Sequence, residues 1–211
     1  MKQHKINIPL TSVTLKGELM IPKNAYGIVI FSHGSGSSRL SPRNQYVAEL
    51  IQIRNIGTLL FDLLTEKEDL EQENRFDIPL LTQRLIETTQ WVQTQEFGRN
   101  IPIGYFGAST GAASALGAAA YFGQTIRAIV CRGGRPDLAM NVLSTVTTPT
   151  LFIVGGWDHE VIELNEVAYD KLNGIKQIEI VPEASHLFEE PGKMEEVANL
   201  AISWYERYLI Q

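Results

Sequence analysis

Ile101-Pro102-Ile103-Gly104-Tyr105-Phe106-Gly107-Ala108-Ser109-Thr110-Gly111-Ala112-Ala113-Ser114-Ala115 is the stretch that decides the fold. Its apolar first half, with isoleucine and aromatic side chains, reads as a buried strand, and the Ala-rich run after Gly111 reads as a helix. Between them, Gly107 to Gly111 match the Gly-x-Ser-x-Gly nucleophile elbow, a sharp strand-to-helix turn with a serine at its apex. Such a turn holds its serine in a strained backbone conformation, and a side chain at either glycine would collide with neighbouring backbone. The apex side chain is thereby pushed above the sheet, toward solvent or substrate. Ser109 taken alone is also compatible with an ordinary turn serine; the strand before it and the helix after it favour the elbow.

A serine hydroxyl is a weak nucleophile at neutral pH, so an elbow implies a histidine to take its proton and a carboxylate to orient that histidine. The partners follow in the order Ser, Asp, His, each just beyond a strand. The apolar strand Thr150-Leu151-Phe152-Ile153-Val154 opens into Gly155-Gly156-Trp157-Asp158, and the alternating strand Gln177-Ile178-Glu179-Ile180-Val181 leads through Pro182 to His186. Asp158 and His186 therefore occupy the expected slots. Asp158 could instead cap the helix that begins near Glu160, and the two roles are compatible. Asp137, after the strand around Ile129, is the alternative acid. Of the four histidines, His4 lies in an N-terminal strand, His159 shares a loop with Asp158, and His33 reads as a structural residue. His186 could also be a plain surface-loop histidine.

A tetrahedral intermediate needs donors for its oxyanion. One is expected from the backbone N–H of Thr110, directly after the nucleophile, and a second from the loop after an earlier strand. The run Tyr26-Gly27-Ile28-Val29-Ile30-Phe31-Ser32-His33-Gly34-Ser35-Gly36 supplies such a loop, with Ser35 as the second N–H donor and His33 as its buttress. A Gly/Ser-rich loop can also cradle phosphate, but the lysine and spacing of a P-loop are absent.

With these motifs in place the chain resembles the α/β-hydrolase superfamily and, within it, small dienelactone-hydrolase-like proteins. The matching pieces run in order along nearly the whole chain: His33 to Asn44, Gly107 to Gly111, Arg132-Gly133-Gly134-Arg135-Pro136-Asp137, Gly155 to Asp158, and Ser185 to Gly192. Dienelactone hydrolases proper carry a cysteine nucleophile, whereas position 109 is serine and the only cysteine, Cys131, falls in a predicted core strand. The resemblance therefore implies ester hydrolysis without lactone specificity.

Alternating elements imply an α/β protein: an N-terminal hairpin over 5–10 and 13–21, strands near Ile28, Thr58, Ile103, Ile129, Leu151 and Ile178, and helices over 46–54, 79–95, 110–122, 137–146, 161–172 and 191–209. The expected architecture is a single α/β-hydrolase domain over residues 1–211, with a mostly parallel doubly wound sheet, an N-terminal antiparallel hairpin, and a minimal lid or none. The interval 132–149 is too short for a helical lid, so the site should be shallow. The acidic stretch 65–77 reads as a solvated loop. Hydrophobic content of 44% supports a two-sided core, and a net charge of −6 argues against nucleic-acid binding. No segment approaches the roughly 20 apolar residues of a membrane span, and one cysteine suits a reducing compartment, so the expectation is a soluble cytoplasmic protein.

The expected activity is serine hydrolysis of small carboxylic esters or thioesters through an acyl-enzyme, needing no metal or cofactor. A ligand-binding or regulatory module on the same fold, and a peptidase, stand as alternatives. Arg39, Arg43 and Arg132 follow strands at the site edge and are candidate binders of an anionic ester; otherwise the site arginines, Arg135 included, bond loop carbonyls or pair with Asp62 and Asp137. Monomer and homodimer are both compatible with the sequence.

Overall fold

The runs Ile28–Ser32, Gly57–Phe61, Ile103–Ala108 and Thr150–Gly155 are buried at every position, as parallel strands covered on both faces must be. They form β3, β4, β5 and β7 of eight strands, the others being β1 (His4–Pro9), β2 (Thr14–Met20), β6 (Ile126–Arg132) and β8 (Lys176–Val181). The structure, a computed structural model, describes residues 4–209. The sheet order is β1-β2-β4-β3-β5-β6-β7-β8. β2 pairs antiparallel with both β1 and β4, and all other neighbours are parallel. The chain leaves β3 toward β4 on one side, while β5 lies on the other, so a crevice opens at the carboxyl ends of β3 and β5.

Among the described residues, five α-helices cover the sheet. α1 (Pro42–Ile53) and α5 (Lys193–Tyr208) bury Val47, Ile51, Ala201 and Tyr205 against Val29, Phe31, Phe106 and Val130 on one face. α2 (Ile78–Thr94), α3 (Thr110–Phe122) and α4 (His159–Lys171) bury Leu85, Leu116 and Ala168 with Ile30, Tyr105, Ile129 and Phe152 on the other. α3 is caught between the sheet and α2, which explains its alanines: Gly117 stands so close to α2 that a Cβ there would lie 2.9 Å from the Thr82 side chain. No helix among the described residues is long and apolar enough to cross a membrane.

Local chemistry moves several boundaries away from the periodicity. α1 begins at Pro42 rather than 46, because the Ser41 hydroxyl accepts the Asn44 N–H and proline suits the first helical position. The 137–146 helix does not form. Its place is taken by two 3₁₀ turns, Pro136–Ala139 and Leu143–Thr145, which bury Ala139, Leu143 and Val146. Ten residues with serine, threonine and asparagine among them give too little helix to survive without packing, and the turns achieve the packing. The acidic stretch is more ordered than a solvated loop. Arg75 grips Asp69 through Nε and Nη2, each at 3.0 Å, Arg84 reaches Glu68 at 2.7 Å, and the Asp77 carboxylate caps α2 by accepting the Leu80 N–H at 3.0 Å.

His33 ties the loop after β3 to the loop after β4. Its Nε2 accepts the Leu63 N–H at 3.0 Å, which leaves the proton on Nδ1, 2.9 Å from the Gly34 carbonyl. This neutral tautomer buttresses the loop, as the sequence suggested. Burial holds its pKa below the ordinary 6.5.

Two predictions arise from these contacts. A folded-state pKa below the unfolded one means that the unfolded chain protonates first, so the stability carried by neutral His33 is full above about pH 6.5 and drains as pH falls below it. Glu68 and Glu87, held below 4.5 by hydrogen bonds and arginine charge that outweigh burial, lose their contribution only at lower pH. Melting temperature should therefore decline from pH 6.5 toward 5 in the wild type, and His33→Gln, less stable at pH 7.5, should flatten that decline; a wild-type profile already flat there would contradict the assignment. Second, a Cβ on Gly111 would stand 2.1 Å from the Ser32 carbonyl oxygen, so Gly111→Ala should cost about 3 kcal/mol or more by chemical denaturation, at the upper end for overpacked sites.

Candidate active site

Ser109 sits between β5 and α3 at φ 52°, ψ −123°, a conformation that L-residues adopt only under constraint. The constraint is steric and bonded. Cβ atoms on Gly107 and Gly111 would lie 2.5 Å from the Ala112 Cα and 2.1 Å from the Ser32 carbonyl oxygen, so only glycines admit the turn. The Ser109 N–H donates to the Arg132 carbonyl at 3.2 Å, and its own carbonyl accepts from Ala112 and Arg135, each at 3.0 Å. Ser114 Oγ lies 2.7 Å from Ser32 Oγ and donates to the Gly111 carbonyl at 3.0 Å, bolting α3 to the end of β3. Ser109 is left half-buried at the crevice.

Asp158 occupies the N-cap of α4, and its backbone carbonyl accepts the Ile162 N–H at 2.9 Å. Its carboxylate does not cap. Asp158 Oδ2 instead accepts from His186 Nδ1 at 2.6 Å, which leaves the lone pair of the neutral ring on Nε2. The two loops are locked together by Gly156 N–H to the Val181 carbonyl at 2.8 Å and Trp157 N–H to the Ala184 carbonyl at 3.0 Å. The histidine loop is stiffened again where Glu190 accepts the Ser185 N–H, and it carries left-handed Glu183 and Phe188 at φ 54° and 56°. Asp137, the alternative acid, is held by both Nε and Nη2 of Arg135 at 2.8 and 2.9 Å and does not bond His186. His159 is exposed on the first turn of α4.

Ser109 Oγ makes no hydrogen bond to His186 among the described residues. The two residues flank the same turn: the Ser109 N–H bonds the Arg132 carbonyl, and a Cβ on the adjacent Gly133 would lie 3.4 Å from His186 Cε1. Nucleophile-to-base contacts are commonly long without substrate and shorten when it binds.

The loop after β3 presses on Ser109, since a Cβ on Gly34 would stand 3.0 Å from the Ser109 Cβ. Thr110 N begins α3, where backbone N–H groups lack helical partners. The Ser35 N–H, the second expected oxyanion donor, is taken up by Thr110 Oγ1 at 2.9 Å in this structure. The threonine after the serine was the signal for that hydroxyl, and pattern reading attended only to its N–H.

The arginines separate into different roles. Arg39 is taken up by Asp62, which bonds both its backbone N–H, at 2.8 Å, and its guanidinium, the pairing that the alternative reading of the arginines allowed. Arg135 pairs with Asp137, as the alternative reading of the arginines held. Arg43 reaches the exposed Glu189 at 2.9 Å. Arg132 is buried with no acidic partner among the described residues; its Nη2 donates to Asn44 Oδ1 at 3.3 Å. Cys131 is fully buried in β6, and burial pushes its thiol pKa far up, so it is no nucleophile.

No protein-family model matches the chain. It is 50% identical over 209 residues to proteins of Mycobacterium tuberculosis that carry the provisional name phosphoribosyl transferase. That match covers 99% of this chain and 47% of those proteins, so the chain spans about half the length of the curated relatives it matches. Among solved structures, an α/β hydrolase from Penicillium superposes with a TM-score of 0.85 at 14% identity, covering 100% of both chains, which speaks to fold alone. The crystal structure of dienelactone hydrolase from Anabaena variabilis superposes with a TM-score of 0.96 at 50% identity, covering 99% of this chain and 98% of that one. At that identity and coverage, the chain belongs to the dienelactone hydrolase family of α/β-hydrolases.

Proposed function

We propose that this chain is a serine hydrolase of small carboxylic esters or thioesters, acting through an acyl-enzyme. The observation that carries the reading is the 2.6 Å bond from His186 Nδ1 to Asp158, on loops that meet beside a serine strained into the elbow conformation. Asp158 fixes the ring so that Nε2 is the base. Ser109 Oγ attacks the ester carbonyl as its proton passes to Nε2, forming the oxygen–carbon bond of a tetrahedral intermediate. The oxyanion is taken by the Thr110 N–H at the start of α3 and by the Ser35 N–H, which turns from Thr110 Oγ1. Collapse breaks the bond to the alcohol or thiol, which leaves with the proton from His186. Water, deprotonated by the same ring, then releases the acid and restores Ser109.

The single cysteine, held as a free buried thiol, supports cytoplasmic residence within this reading. The name of the longer Mycobacterium tuberculosis relatives describes proteins of which this chain covers 47%, and the hydrolase reading is proposed for this portion alone.

A fluorophosphonate probe should label the protein stoichiometrically at Ser109, located by peptide mapping, and Ser109→Ala and His186→Ala should abolish the labelling. With p-nitrophenyl acetate, Ser109→Ala should lower kcat by about 10⁴-fold or more, and Asp158→Asn by about 10⁴-fold through the wrong ring tautomer. Folded protein that resists the probe would defeat the reading in favour of a ligand-binding module.

A further inference from the structure

The amino ends of β5 and β6, at the edge of the sheet opposite Ser109, open onto a cavity of about 620 Å³. Its walls are the end of α2, the loop that joins α2 to β5, and the 3₁₀ turn Gly123–Thr125 after α3. Six of the residues that line it carry polar side chains: Gln93, Arg99, Asn100, Gln124, Thr125 and Arg127. None of these six side chains has a hydrogen-bond or ionic partner among the described residues, and no carboxylate lines the cavity. The rest of the wall is Gly98 and the apolar run Ile101, Pro102 and Ile103.

Arg127 is brought there by an irregularity in the sheet. Ile103 pairs with Ile126 and Gly104 with Ala128, so Arg127 is an extra residue that faces no partner on β5. Such a bulge turns a side chain out of the regular alternation, and Arg127 is exposed while every other position of β6 is buried. Arg99 and Asn100 come from a loop with little freedom. Gly98 lies so close to α2 that a Cβ there would stand 2.0 Å from the Val92 carbonyl oxygen, and Asn100 takes a left-handed φ of 65°. Two helices end beside the cavity, and basic side chains often serve helix carbonyl ends. These ends are served already: the Trp91 carbonyl accepts the Thr94 hydroxyl at 2.7 Å and the Gln95 amide at 3.2 Å, and the Ala119 carbonyl accepts the Gly123 N–H. In a chain of net charge −6, two guanidinium groups thus line one cavity with no acid assigned to them.

We propose that this cavity is a binding site for a phosphate monoester, separate from the hydrolytic crevice. Two guanidinium forks with amide and hydroxyl donors beside them suit a group with three acceptor oxygens and a charge of about −2. The volume is larger than a bare phosphate fills and falls among small-molecule sites of roughly 300–1,000 Å³, and the Ile101–Pro102 wall offers the organic body an apolar surface. No serine, cysteine, histidine or acid lines the cavity, so it holds its ligand without cleaving it. β5 spans the interval from Ile103 at the cavity to Ala108 beside Ser109, about 20 Å at the usual rise of a strand. The site is independent of the hydrolase reading.

Calorimetric titration of the wild-type protein with phenyl phosphate, inorganic phosphate and phenol, each separately, tests the site. Phenyl phosphate should bind saturably with a Kd of about 1 mM or tighter, inorganic phosphate more weakly, and phenol not measurably. Arg127→Met and Arg99→Met should each weaken the binding of phenyl phosphate about tenfold or more, and Ser109→Ala should leave it unchanged. Both arginines are exposed, so neither substitution should lower the melting temperature without ligand, and phenyl phosphate should raise that of the wild type far more than that of either variant. Absence of saturable binding, binding that withstands both arginine substitutions, or binding lost in Ser109→Ala would overturn the site, and equal affinity for inorganic phosphate would overturn the monoester in favour of a free anion. A lowered melting temperature in both variants, with no binding by the wild type, would assign the arginines to the helix ends instead. The titrations read binding without turnover, so a failure of fluorophosphonate labelling would defeat the hydrolase reading and leave their outcome untouched.

Discussion

Between the carboxyl end of β3 and the first turn of α3 there is no room for a methyl group, and the arrangement of the crevice depends on that close approach. A Cβ on Gly111 would stand 2.1 Å from the Ser32 carbonyl oxygen, and the Ser32–Ser114 hydroxyl contact at 2.7 Å clamps the same two elements. With α3 held there, the chain leaving β5 must reverse within one residue, and Ser109 absorbs the reversal at φ 52°. The strain is offset by the bonds that Arg132, Arg135 and Ala112 make to the Ser109 backbone. The same approach brings Ser35 within reach of Thr110. One contact thus sets the exposure of Ser109 and the approach of Ser35 to Thr110.

Charge is distributed around this frame with a clear division of labour. Asp137 and Asp158 follow neighbouring strands and look equivalent by position. Asp137 faces an arginine two residues away that takes both its oxygens, whereas Asp158 has none nearby and meets the histidine loop. A carboxylate gripped by a bidentate guanidinium is oriented by that partner, and Asp137 makes no bond to His186, which separates the two. The arginines show the reverse pattern. Arg39, Arg84 and Arg135 are neutralised by Asp62, Glu68 and Asp137, and Arg132 is buried with no acidic partner among the described residues and another cation beside it.

Much of this was legible in the chain. The central strands are apolar runs too continuous to be anything but interior; Ser109 and Asp158 follow such runs, and His186 follows the alternating strand β8. The helix over 137–146 was misread because apolar spacing there reports burial of Ala139, Leu143 and Val146, which two 3₁₀ turns deliver as well as a helix would. The 65–77 stretch was read as plain solvent-facing charge because composition carries no sign of which charges meet; Asp69 and Arg75 pair within it, and Glu68 reaches Arg84 in α2.

The sequence by itself determined the order of the strands and long helices, the glycines of the elbow, and the three side chains placed at strand ends. These depend on patterns spanning a few residues, where covalent geometry and the burial of apolar runs act directly. Only the tertiary structure decided which groups meet: Asp158 rather than Asp137 on His186, Asp62 on Arg39, and Asn44 on the Arg132 guanidinium. Those choices follow from the distances between loops far apart in the chain, which are set by the order β4-β3-β5-β6-β7-β8, and no local pattern carries that order.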